Sequence, residues 1–124
     1  MPDWTTQALH DITGAEEVHL ATRRTDGTLR RPRIIWAATN GDRVFIRSTN
    51  GVTADWYRAA TRTGAGQLTA GRTAHDVTFT HVDDQTDLAL ADAGYRAKYG
   101  RYASIVDHLE QAGPRAATLE VHPA

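Results

Sequence analysis

Val18-His19-Leu20-Ala21-Thr22-Arg23-Arg24-Thr25-Asp26-Gly27-Thr28-Leu29-Arg30-Arg31-Pro32-Arg33 is the stretch that decides the fold. Val18, Leu20 and Thr22 alternate with His19, Ala21 and Arg23, the two-residue period of a half-buried strand. Asp26-Gly27 is a hairpin turn signal, since glycine accepts the positive φ that such turns demand. The return strand runs from Thr28 to about Ala38, with Pro32, Ile34 and Trp36 on one face and Leu29, Arg31, Arg33 and Ile35 on the other. Five arginines fall within the eleven residues 23–33. Held this close they repel one another, and a phosphate-bearing small molecule placed among them would relieve the repulsion. A solvated rim, with Arg31 and Arg33 paired to Glu16, Glu17 or Asp42, is the plainer reading of the same residues.

Outward from the hairpin, Asn40-Gly41-Asp42 makes the next turn, and Val44, Ile46 and Ser48 share one face of a third strand. On the amino-terminal side, Trp4 to Ile12 reads as a short amphipathic helix capped by Asp3 and stopped by Gly14. On the other side a helix starts near Thr53, a natural N-cap, with Asp55 in its first turn. Val52, Trp56, Ala59 and Ala60 form its apolar face, and Gly64 ends it. Strands fit Gln67 to Gly71 and Thr73 to Val82. From Gln85 to Tyr102 the period becomes helical, placing Leu88, Ala91, Tyr95, Tyr99 and Tyr102 on one side. Gly113-Pro114 breaks the chain, and Ala117, Leu119 and Val121 close it as a last strand. The sum is an α+β fold, mainly β: a six-stranded antiparallel barrel with an inserted helix and a C-terminal helix.

The bulk numbers bound the function. A chain of 124 residues makes one domain, divided into an N-terminal helix (1–14) and a barrel (17–123). A net charge of -1 argues against a generic nucleic-acid binder, whose domains carry a basic surplus. No apolar run reaches the ~18 residues of a membrane span. Met1-Pro2-Asp3-Trp4 is unlike a secretory signal and there is no cysteine, which together favour the cytoplasm. The six histidines show no ligand spacing, so no metal is expected. Thirteen of the fourteen basic residues are arginine, a bias that a GC-rich genome would also produce; the clustering is the better evidence.

Basic hairpin, serine-ended strand (Arg47-Ser48-Thr49), Trp56-Tyr57 opening a helix and Tyr99-x-x-Tyr102 before the final strand together resemble the flavin and deazaflavin split-barrel proteins, like pyridoxamine-phosphate oxidase. Within them the chain looks like a short single-domain sub-branch of the deazaflavin-dependent nitroreductases. The resemblance covers Val18 to Pro123. It implies an oxidoreductase that uses FMN or a deazaflavin (coenzyme F420) on a small organic molecule, with Arg24 and Arg31 at the phosphate, Ser48, Thr49 and Trp56 at the cofactor, and Tyr102 with Tyr99 on the catalytic side. It further implies a homodimer, which would cover a sheet face carrying Leu29, Ile35 and Phe45. The chain departs from the pattern at Asp26, where a basic residue would help a phosphate, and at Ile105, where a third tyrosine is expected. These departures motivate a second reading: a barrel without any cofactor that binds, isomerises or cyclises a small hydrophobic metabolite.

Overall fold

The computed structural model describes residues 3–124; the first two positions of the expected N-terminal segment lie outside the described residues. Helix α1 spans Thr6–Gly14, and the strands are β1 (Val18–Thr22), β2 (Arg33–Ile35), β3 (Ala37–Asn40), β4 (Arg43–Arg47), β5 (Ala65–Ala70), β6 (Thr73–His81) and β7 (Thr118–Pro123). Helix α2 (Asp55–Thr63) lies between β4 and β5, and α3 (Gln85–Tyr99), α4 (Ala103–Leu109) and α5 (Ala112–Ala116) lie between β6 and β7. The class is the expected α+β split barrel, with seven strands rather than six.

The extra strand comes from a break in the return strand at Trp36. Asp26 accepts from both the amide (3.0 Å) and the hydroxyl (2.7 Å) of Thr28, tightening the turn. Beyond it only the bridge Arg23↔Leu29 forms before β2 begins. β2 pairs with β1 in the register Val18↔Ile35 and Leu20↔Arg33, whereas β3 pairs with β4, Ala38 opposite Phe45. The antiparallel sheet runs β2-β1-β5-β6-β7-β4-β3. Its two edge strands are thus separated in the chain by Trp36 alone, so the sheet must curl until β2 and β3 lie end to end, although they are not hydrogen-bonded to one another. Trp36 stacks on Tyr99, ring centroids 3.9 Å apart and planes 1° from parallel, which anchors the switch.

Ile12, Val18, Leu20, Val44, Ile46, Leu68, Val77, Leu119 and Val121 fill the barrel. Outside it, Phe45 packs on Leu88 and Ala91 of α3, and Ala38 on Tyr95, Tyr99, Val106 and Leu109. Gly94 permits this close docking: a Cβ there would stand 2.7 Å from the carbonyl oxygen of Thr39. Gly94→Ala is accordingly expected to destabilise the fold by about 1–3 kcal/mol, the scale of overpacking, read as a lower thermal midpoint.

Other boundaries shift for local reasons. The cap of α1 is Thr5, whose hydroxyl accepts from the Ala8 amide (3.1 Å), not Asp3. The Thr53 hydroxyl donates back to the Asn50 carbonyl (3.2 Å) within a 3-10 turn, so α2 starts at Asp55 without a side-chain cap. The long helix stops at Tyr99, and Tyr102 turns the chain into α4 by bonding its amide to the Tyr99 carbonyl (2.9 Å). Gly113-Pro114 sits in the first turn of α5, where a missing N–H costs nothing, instead of breaking the chain. Among the described residues no helix is long and apolar enough to cross a membrane.

Candidate functional site: a two-chambered cleft

The β4–α2 connection and the β1–β2 loop enclose two adjoining chambers. The larger, of about 480 Å³, is walled by Trp36, Tyr95, Ile105 and Leu109 on one side and Thr49 and Trp56 on the other. The smaller, of about 280 Å³, is lined by Arg24, Arg30, Arg31 and Arg33, with Asp55 its one acidic residue. Arg33 and Trp56 belong to both, so the chambers form one cleft, aromatic at one end and cationic at the other.

The cationic chamber is short of counter-charge. Among the described residues none of its four arginines forms an ion pair. Arg24 engages only Nη1, with the Thr28 hydroxyl (3.2 Å) and the Leu29 carbonyl (2.9 Å), and among the described residues the buried Arg30 Nε has no acceptor. The hairpin's fifth arginine, Arg23, leaves the cluster to pair with Asp76 at 3.0 Å. The solvated-rim alternative fails at Glu16, which pairs with Arg101 and accepts from the Tyr102 phenol (2.7 Å). Those two bonds hold the Glu16 carboxyl below its usual range.

Of the residues anticipated from sequence, Arg24, Arg31, Thr49 and Trp56 come together in the cleft. Trp56 was expected on the apolar face of α2 with Val52. That helix instead buries Tyr57, Ala59 and Ala60, leaving Trp56 half-buried between the chambers and Val52 exposed. Ser48 is buried beside the cleft, its hydroxyl without a partner. Tyr99 and Tyr102 lie behind Trp36, one stacked on it and one tilted against it at 5.4 Å. The Tyr99 phenol donates to the Glu16 carbonyl (2.6 Å), and its burial pushes the pKa up.

Arg47, Trp36 and Leu109 are cleft residues that the sequence did not single out as such, and Tyr95, which by spacing fits a core stripe or a pocket wall equally, lines the larger chamber. Odd-numbered positions of β4 point toward α3 and α4, and this face carries Arg47 between Phe45 and Thr49. An arginine between Ile46 and Ser48 on a strand with two covered faces is the signal that could have flagged it. Its side chain is 0% exposed and is held by Asp92 at 2.6 Å, Thr118 at 2.7 Å and the Leu109 carbonyl at 3.1 Å. Tyr95, fully buried, donates its phenol to the Trp36 carbonyl (3.1 Å), and burial raises its pKa. Ile105, where the resemblance implies a tyrosine, gives the larger chamber an apolar wall.

A barrel closed at Trp36, with a cleft at the closure, defines a split-barrel protein. Residues 8–121 match the family described as "uncharacterized protein conserved in bacteria (DUF2255)", and the chain belongs to that family. A comparison with curated proteins finds no match. Among solved structures it is similar to a conserved hypothetical protein from Mycobacterium tuberculosis (12% identity, TM-score 0.65, covering 98% of this chain and 81% of that one). It is also similar to an F420-H2 dependent reductase (13%, 0.64, 86% and 94%) and to HutZ, the heme storage protein from Vibrio cholerae (12%, 0.69, 100% and 92%). At such identities the likeness is one of fold.

Proposed function

We propose that the cleft holds a flavin-type cofactor, FMN or a deazaflavin, and that the protein is an oxidoreductase acting on a small organic molecule. The observation that carries this reading is a chamber of four arginines that form no ion pairs among the described residues, joined through Trp56 to an aromatic chamber. A phosphate would supply the missing counter-charge through charge-assisted bonds from Arg24, Arg30 and Arg31, and Trp56 and Trp36, which line the larger chamber, would offer aromatic contact to a planar ring. When bound, such a ring supplies hydride transfer. The chain's own part is to anchor the phosphate, orient the ring and keep water from the larger chamber with Ile105, Trp36 and Leu109. Tyr99 and Tyr102 set the position of Trp36 in this reading.

Similar folds include both reductase and heme-storage proteins, and the donor set separates the two chemistries. Among the described residues neither chamber is lined by histidine, a common axial ligand of heme iron, the chain has no cysteine, and the phenol of Tyr95 is committed to Trp36. The lining therefore favours a flavin-type ring. The sheet face expected to be covered by a partner is not free, since Phe45 is buried beneath α3; the exposed Ile34 (59%) and Ile105 (42%), both lining the larger chamber, instead support a homodimer that covers the cleft mouth.

Fluorescence titration of the purified protein with FMN, coenzyme F420 and riboflavin tests the reading. At least one phosphorylated ligand is expected to bind roughly tenfold or more tightly than riboflavin, which lacks the phosphate. Equal affinities, or no binding of any of the three, would contradict it.

A further inference from the structure

Arg47 carries more binding capacity than its surroundings use. A guanidinium has five N–H donors. Nε is engaged by Thr118 Oγ1, and Nη1 by Asp92 Oδ1 and the Leu109 carbonyl, while Nη2 is buried and has no acceptor. Buried donors are almost always paired in native proteins, so an orphan beside a cavity points to an acceptor supplied by a ligand.

Charge points the same way. Asp92 is the one carboxylate beside Arg47, and its second oxygen is 3.2 Å from Arg115 Nε. One negative charge thus serves two guanidiniums, leaving a local positive excess around Arg47; the other carboxylate lining the larger chamber, Glu17, is exposed and makes no ion pair with Arg47. The side chains around Arg47 on the chamber wall are aromatic and apolar: the Tyr95 ring lies 5.7 Å from Arg47 Cζ, and Leu109, Ile105 and Trp36 line the same chamber.

We infer that the larger chamber admits, as substrate, a planar aromatic molecule bearing a carboxylate, and that Arg47 Nη2 reads the carboxylate. This deepens the proposed function, resting on the larger chamber being where the substrate enters. A phosphorylated group is better served by the four arginines at the other end, whereas one free nitrogen on one cation suits a monoanion. Arg47 determines specificity here, and the ring walls supply the bulk of the contact area. A neutral carboxamide of the same shape could accept a hydrogen bond from Nη2 but would leave the excess positive charge unmet.

Calorimetric titration of the full chain with 2-naphthoate and with 2-naphthamide, each with and without saturating FMN, tests the inference. Naphthoate is expected to bind about tenfold or more tightly than the amide. The preference should vanish in the double variant Arg47→Met/Asp92→Asn, which removes the fully buried cation together with its carboxylate and leaves only Arg115, whose side chain is 27% exposed, without a counter-ion. Equal affinity of the wild-type protein for the two compounds, or binding of neither, overturns the inference without needing any variant to fold. A preference that survives in a folded double variant assigns the carboxylate to another cation, such as Arg33, and overturns it as well. The cofactor reading fails separately: a naphthoate preference without FMN or F420 binding leaves Arg47's role standing and removes the flavin.

Discussion

Replacing Arg30 and Arg31 together by alanine is expected to weaken FMN binding by about 10²–10⁴-fold, since each charge-assisted bond to a phosphate is worth about 1.5–3 kcal/mol and the two act on the same group. Riboflavin affinity should stay as it is, because the lost contacts are to the phosphate. The fold should be unharmed: Arg31 is exposed, neither residue makes an ion pair among the described residues, and removing two like charges lowers repulsion in the chamber. Calorimetry on the variant with both ligands, alongside a thermal melt, separates the outcomes. An equal loss for FMN and riboflavin would mean that the arginines shape the cleft without binding the phosphate.

Asp92→Ala should produce the largest loss of stability. Arg47 is wholly buried, and its principal counter-ion would be gone while Thr118 and the Leu109 carbonyl remain. Breaking one side of a buried pair typically costs about 3–5 kcal/mol; the partial exposure of Asp92 places the expectation near the lower end, about 3 kcal/mol. Urea denaturation measures it. The Arg47→Met/Asp92→Asn double variant should recover a substantial part of the loss, because the cost lies in the stranded charge more than in the missing bond. A fully additive double variant would show that the two side chains act independently.

The parts of the fold legible in the sequence are those with a local signal. The strand over Val18, Leu20 and Thr22, the Asp26-Gly27 turn and the Gly64 stop all appear where expected, as does the long helix beginning at Gln85, although Ala21 is buried along with its alternating neighbours. The arginine cluster was legible for the same reason, since its members are close in the chain. What stayed hidden depends on distant partners. Nothing around Trp36 announces that β2 will find β1 while β3 finds β4; that division is decided by pairing and by the stack on Tyr99, 63 residues on. Arg47 reads as a strand-end arginine until Asp92, 45 residues later, is brought against it. Val52 and Trp56 fit an apolar helix face by spacing, yet α2 turns Tyr57 inward and leaves Trp56 to the cleft.

The central claim is that the cleft between Trp36 and Trp56, with its arginine chamber, is where the cofactor binds. Three tryptophans make this directly measurable: Trp36 and Trp56 line the cleft, while Trp4 lies apart from it with its indole bonded to the Val121 carbonyl at 3.0 Å. In ¹⁵N-labelled protein the three indole N–H resonances report on each ring separately. Addition of FMN, or of coenzyme F420 where FMN does not bind, is expected to move the Trp36 and Trp56 signals and leave Trp4 in place. Saturating cofactor that shifts Trp4 alone, or that leaves all three indoles unmoved, would contradict binding in the cleft.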